Sequence, residues 1–247
     1  MKKEHSLTLL QPEIRVVAAI PVHGRLPLLR QTIRRLYDKN NVYRVICVGG
    51  KNEEAVCRDN GAEFVHHPNI LGAKWNIAFQ EAGRLSATHV LFVGSSDFVS
   101  DTWTDYLIPK CPLNGMIGLK GFHLAHISDN GIQAGYWHGY KTARALREPI
   151  GIGRIISAGI LDKMDWKPFC DTSQKSMDGA MTKKVLALEG QIEIIDTKEI
   201  KSLSISTDRW ENKHSFGITT GSAFTYIGHP VGWLMDNFPE TLLIFKN

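Results

Sequence analysis

The sequence predicts an α/β protein whose central sheet is mostly parallel and flanked by helices. Three observations carry that prediction. Apolar runs rich in β-branched residues at 14–20, 42–48 and 88–93 read as buried strands. The segments between them repeat apolar residues at helical spacing, so Leu29, Ile33 and Leu36 share one face, as do Trp75, Ala78, Phe79 and Ala82. The strands end in short turns that carry glycine or proline, such as Pro21-Val22-His23-Gly24 and Gly49-Gly50-Lys51-Asn52.

Taken in order, the first strand stops at Pro21, and Pro27 suits the first turn of the following helix. Arg30, Arg34 and Arg35 lie off that helix's apolar face and are expected in solvent. The second strand leads to a short helix over 53–60, stopped by Gly61, and then to a short strand at 63–66. The loop His67-Pro68-Asn69-Ile70-Leu71-Gly72 precedes the next helix, and the fourth strand follows it. Beyond residue 110 the chain is richer in Gly, His and Trp and less regular. There, 150–159 enters a short strand or helix, 161–169 turns around Trp166 and Pro168, 176–181 starts a helix and 191–195 is a strand. No Pro/Ser-rich linker divides the chain. One domain over 1–247 is therefore expected, with two functional halves at about 14–110 and 111–247. The apolar tail, 231–247, should pack on the body or on a partner subunit.

Composition narrows the classes. With 43% hydrophobic and 22% charged residues, the 247-residue chain matches an ordinary soluble globular protein. A net charge of +4 is compatible with a phosphate-bearing or nucleic-acid partner and demands neither. Cys47, Cys57, Cys111 and Cys170 are scattered without a CxxC pair, which argues against a zinc ribbon or a redox motif. Reduced thiols, no run of membrane-spanning length and no signal-peptide pattern at the N-terminus lead to the expectation of a cytoplasmic protein.

The most informative stretch is Ser95-Ser96-Asp97, directly after the apolar run His89-Val90-Leu91-Phe92-Val93-Gly94. Open α/β sheets bind ligands beyond the carboxyl ends of their strands. A carboxylate placed there can hold a divalent cation, and such a cation can hold a diphosphate.

Four segments together resemble family-two glycosyltransferases of the GT-A fold. VVAAIPVHGRLPLLRQTIRRL resembles the family's opening strand and turn, and HHPNILGAKWNIAFQEA its following loop and helix. THVLFVGSSDF occupies the place of its metal-binding DxD segment, with Asp97 on the last Asp. GRIISAGILDKMDWKPFCDTSQKSMDGAM resembles the acceptor-side block, where Asp178 falls on the acidic catalytic position. The resemblance covers residues 14–182. The chain departs from the pattern at Ser95, which replaces the first Asp of DxD. Gly49-Gly50-Lys51-Asn52 replaces an acidic segment that contacts the nucleotide base, and His23 and Gly24 replace a common Tyr and Asn.

The resemblance implies a metal-dependent enzyme that moves a sugar from a nucleotide-sugar donor, a UDP-sugar foremost, to an acceptor hydroxyl. Residues 14–110 would hold the donor and 111–247 the acceptor. Asp97 would bind Mn²⁺ or Mg²⁺, with His214 as a further ligand. Pro21, Val22, His23 and Arg25 would line the nucleoside and its phosphates. Asn69 and Gly72 would let backbone approach the donor, while Lys74, Asn76, Ser95 and Ser96 would face its anionic groups. Asp178 would act as the general base of an inverting hexosyl- or pentosyltransferase. Trp137, His138, Tyr140, Trp166 and Trp210 are candidates for the acceptor surface, flanked by Lys141, Arg144 and Arg147. The acceptor would be a polysaccharide, a glycan or a small glycoside. Alternatives are transfer onto hydroxymethylated pyrimidines in DNA, as in some bacteriophage enzymes, a nucleotidyltransferase, and a non-catalytic nucleotide-sugar-binding module.

Overall fold

The computed structural model describes residues 13–67, 70–140, 147–207 and 224–243. Its first half follows the expected alternation: β1 (Val16–Pro21), α1 (Leu26–Lys39), β2 (Arg44–Gly49), a 3-10 turn (Lys51–Glu53), α2 (Glu54–Asp59), β3 (Glu63–His66), α3 (Leu71–Arg84) and β4 (His89–Phe92). The second half holds more strands than its irregular sequence suggests. It contributes β5 (Asp97–Val99), α4 (Trp103–Leu107), β6 (Gly115–Leu119), β7 (Phe122–Ser128), β8 (Gly131–Trp137), β9 (Arg154–Ser157) and α5 (Ala158–Asp162). After these come α6 (Met177–Ala187), β10 (Gln191–Ile195), β11 (Ser202–Thr207), β12 (Phe224–Tyr226), α7 (Pro230–Asn237) and α8 (Glu240–Leu243).

A seven-stranded sheet runs in the order β10-β6-β9-β4-β1-β2-β3. β1 pairs in parallel with β2 and β4, β2 with β3, and β10 with β6. β9 runs antiparallel to both β4 and β6, so those two point the same way. The carboxyl ends of six strands therefore share one edge. A second sheet, ordered β12-β8-β7-β11-β5, receives the chain from that edge.

Helices cover both faces of the large sheet, and the sequence of β1 shows why. Val16, Ala18 and Ile20 join one core with Leu29, Ile33 and Leu36 of α1. Val17 and Ala19 join another with Trp75, Phe79 and Phe92. Alternate residues point to opposite faces, and both faces are apolar, as a doubly covered sheet requires. Trp75 stacks on Phe92 with ring centroids 3.7 Å apart, and Phe169 closes the same aromatic cluster.

α1 also reaches the second sheet, through Leu28, which lies in a third core with Phe98, Leu203 and Ile205. Arg35 departs from the solvent-exposed position expected of it. It is 8% exposed, with its guanidinium bonded to the Val99 carbonyl and paired with Asp101 at 2.7 Å and Glu240 at 2.6 Å. Burial of this arginine is possible because carboxylates from two other segments converge on it. The tail packs on the body: Leu234 and Phe238 are fully buried against the second sheet, each a gain of about 1.5–3 kcal/mol.

Candidate functional site

The strand order reverses between β1 and β4. From β1 the chain proceeds to β2 and β3 on one side, while β4 lies on the other. Such a switch point opens a crevice at the carboxyl ends of the strands. Pro21, Val22 and His23 leave β1 there, and Ser95, Ser96 and Asp97 follow β4.

The corner between β1 and β2 is built around Glu53. Its Oε1 accepts the Gly24 backbone N–H at 3.0 Å, where Gly24 holds a positive φ of 62°. Its Oε2 is buried and accepts no hydrogen bond among the described residues. Side chains at Gly49 and Gly50 would crowd this carboxylate, since a Cβ on Gly50 would lie 3.0 Å from Oε2. Lys74, 3% exposed, donates from Nζ to the Val22 carbonyl at 2.5 Å. Burial lowers the Lys74 pKa, and the nearby Glu53 charge opposes that shift. Lys74 thus secures the turn after β1 from beneath rather than standing free at a helix end. His23 is exposed at the rim.

Over the end of β4, Asp97 Oδ2 accepts the Gly94 N–H at 2.9 Å and Oδ1 accepts the Ser204 hydroxyl at 2.8 Å. α1 holds this segment from behind, through Thr32 to the Asp97 carbonyl. Arg25 caps α1 in the left-handed conformation and donates to the Ser96 hydroxyl. Burial lowers the Arg25 pKa and the Asp97 charge raises it. Its Nε is buried with no acceptor among the described residues. Ser95 and Ser96 are 7% and 4% exposed.

Asp178 lies in the first turn of α6, which runs back from the same edge into β10. Tyr140 donates its hydroxyl to Asp178 Oδ2 at 3.1 Å, and Arg154 approaches that oxygen at 4.0 Å. Arg154 is 1% exposed and also donates to the Asp178 and Ile150 carbonyls. Gly151 leaves the room Asp178 occupies, because a Cβ there would lie 2.4 Å from Oδ1. The carboxylate itself keeps 29% of its side-chain surface in solvent.

Other expected site residues have different neighbours. Gly72 permits close approach of the Cys170 carbonyl, which would lie 2.1 Å from an added Cβ, so its missing side chain serves the 170–173 loop and not a donor. Asn76 belongs to the same loop: it donates to the Phe169 carbonyl and Asp171 at 2.8 and 2.7 Å and accepts from the Phe169 N–H at 3.0 Å. Both amide N–H groups are thus taken up within the chain, one of them by the Asp171 carboxylate. Trp166 packs on Gly83 near the carboxyl end of α3, at the opposite edge of the sheet from the crevice, so it is no part of an acceptor surface. Asn69, His214, Trp210, Lys141 and Arg144 lie outside the described residues.

A divalent cation was expected at Asp97. Both of its oxygens already accept hydrogen bonds, and Arg25 sets a positive charge beside it. Among the described residues, no three His, Cys, Asp or Glu side chains converge as a metal-binding group. Among the described residues a dication here would have one carboxylate in support and would face the guanidinium, so these donors alone do not make a metal centre; His214, the further expected ligand, lies outside the described residues. None of the helices among the described residues is long and apolar enough to cross a membrane.

Glu53 and Arg154 were not anticipated from sequence. The signal for Glu53 is a pair of glycines three and four residues before an acid; for Arg154 it is a lone charge inside the apolar run IGIGRIIS.

No protein-family model matches the chain, and no curated protein matches it in sequence. Its fold is similar to that of GalNAc-T7 solved with UDP, GalNAc and Mn²⁺, with a TM-score of 0.56 at 11% identity over 81% of this chain and 45% of that one. It is also similar to S. aureus TarS 1-349, with a TM-score of 0.53 at 14% identity over 78% of this chain and 60% of that one. The chain thus spans about half the length of these two glycosyltransferases. The architecture it shares with them is the GT-A fold.

Proposed function

We propose that this GT-A-fold chain transfers a glycosyl group from a nucleotide-sugar donor to an acceptor hydroxyl. One observation supports the reading above the others. Along a single sheet edge, Glu53 stands beyond β2, Arg25 and Asp97 beyond β1 and β4, and Asp178 beside the start of β9. That order suits a nucleoside, a diphosphate and a reacting sugar laid end to end.

The buried Oε2 of Glu53 would accept a ribose hydroxyl or a base N–H, gaining the partner it lacks. UDP is the first nucleotide to test, because the GalNAc-T7 neighbour was solved with it. Ser95 and Ser96 would donate to the diphosphate, with the Arg25 guanidinium offsetting the charge that develops as it departs.

Asp178 would take the acceptor proton. The new bond forms between the acceptor oxygen and the anomeric carbon as the bond from that carbon to the diphosphate oxygen breaks. The leaving oxygen keeps the electron pair, the proton passes to Asp178, and attack from the opposite face inverts the anomeric centre. Arg154 and Tyr140 are positioning residues that fix the Asp178 rotamer.

The test combines binding and turnover. A cognate nucleoside diphosphate at a hundredfold excess over Kd should stabilise the fold by about 2.7 kcal/mol. Asp178→Asn should lower turnover by about 10²–10⁴-fold while the nucleotide still stabilises the variant. Silence across all nucleoside diphosphates, or near-normal turnover in the variant, would refute the proposal.

A further inference from the structure

A cavity of about 360 Å³ opens where β6 and β10 end, and none of the described donor-side residues lines it. Its place follows from the sheet. The Leu119 carbonyl, on the cavity wall, accepts the Ile150 N–H at 2.8 Å, and the next residue, Gly151, touches Asp178. Donor crevice, Asp178 and cavity therefore follow one another along the same edge. The end of β8 separates the last two. Tyr136 and His138 face the cavity, while Trp137 between them packs edge-on to Phe122 and to Tyr140, whose hydroxyl reaches Asp178.

The walls are ring faces. His123 stacks on Trp233 with centroids 4.4 Å apart and lies 4.9 Å from the Tyr136 ring. His123 Nδ1 is 3.3 Å from the Ser202 carbonyl, an oxygen that can only accept, so Nδ1 carries the proton and Nε2 remains an acceptor. Burial pushes the His123 pKa down to about 4, so this imidazole is neutral near pH 7.

Positive charge comes instead from Lys198 and Lys201 on the cavity lining. The nearby acid, Asp196, is already paired with Lys120 at 2.6 Å. A chamber with aromatic walls, hydroxyl-bearing Thr197 and Thr225, and, among its described lining, lysines in excess of free acid suits a sugar ring with an anionic substituent.

We propose that this cavity is the acceptor subsite and that the acceptor is an anionic glycoside, its ring against Tyr136 and His123 and its phosphate or carboxylate at Lys198 and Lys201. The assignment of the cavity as an acceptor site rests on the glycosyltransferase reading; its preference for anionic sugars does not.

Calorimetric titration of the full chain, with and without saturating nucleoside diphosphate, tests it using glucose 6-phosphate, glucuronate, glucose and inorganic phosphate. At least one of the two anionic sugars should bind ten times more tightly than glucose or phosphate, and which one does so separates phosphate from carboxylate recognition. Lys201→Gln should weaken that binding about tenfold. Thr225→Trp, a change at an exposed edge strand that fills the mouth, should abolish it. Nucleoside diphosphate affinity should stay within twofold in both variants, which also shows that they fold. Anionic sugars that bind no better than glucose, or that bind Thr225→Trp normally, overturn the cavity assignment. Absence of nucleotide binding by the wild type overturns the donor reading, while the sugar titration without nucleotide still reads the cavity.

Discussion

Acid should destabilise this fold through His123. The imidazole has an ordinary value of 6.5, and burial takes it to about 4; Lys201 adds to the shift and the Ser202 carbonyl opposes it. Between those two values the unfolded chain binds a proton that the folded chain does not. Stability therefore rises with pH across this window and is lost as pH falls from about 6.5 toward 4. A difference of about 2.5 pKa units, at about 1.36 kcal/mol each, gives a loss of about 3 kcal/mol, most of it complete by pH 4.5. Groups that face His123 include Tyr136 from β8, His138 just after it, Lys201 just before β11 and Asp196 after β10, so the effect is read as a difference. His123→Phe keeps a ring against Trp233 but cannot titrate. Urea unfolding of both proteins at pH 7, 6, 5 and 4.5 gives the two stability curves. Wild type should lose about 2.4 kcal/mol more than the variant over this range. Parallel curves would show that His123 is protonated as easily in the folded chain as in the unfolded one, and the neutral-imidazole argument for the cavity would fail with it.

Two further predictions concern the donor side. Arg25→Gln should weaken nucleoside diphosphate binding at least tenfold in EDTA, measured by calorimetry, because it removes the charge beside Ser96 and Asp97; binding that requires Mn²⁺ and ignores this substitution would return the role to a metal. Gly72→Ala should cost about 1–3 kcal/mol in chemical denaturation, since the new Cβ meets the Cys170 carbonyl at 2.1 Å, and unchanged stability would mean that the 170–173 loop is free to move aside.

The parallel half of the fold was legible because its strands are buried on both faces. In β1 every residue from Val16 to Ile20 is apolar and at most 3% exposed, so a continuous apolar run was the right signal. The second sheet was not legible, for the same reason reversed. β11 reads Ser-Leu-Ser-Ile-Ser-Thr and is buried throughout, with Ser204 bonding Asp97 and Ser206 meeting His126. β8 carries Gly135, where the Phe224 ring lies so close that an added Cβ would sit 2.2 Å from it. Serine and glycine are weak strand formers, and these strands exist because their partners cover them. Arg35 is a related case: its helical position marks it as surface, and only the arrival of Asp101 and Glu240 from later in the chain makes its burial tolerable.

The candidate site divides along the same line. Asp97, Arg25 and Asp178 stand next to landmarks that sequence reveals, namely strand ends and a helix start. Gly72, Lys74 and Asn76 stand next to a helix start too, yet their side-chain roles are set by a loop a hundred residues away or by the underside of the first turn. Local pattern places a residue on an element; it does not say which of two surfaces that element offers to its neighbours. Glu53 shows the converse. Sequence puts it inside a helix, but two glycines clear the end of β2, and the carboxylate from the turn beyond fills the space they leave. An acid three residues late then occupies the corner where the alignment of motifs finds none. An acceptor oxygen thus stands at that corner, brought there by a turn that the sequence pattern does not single out.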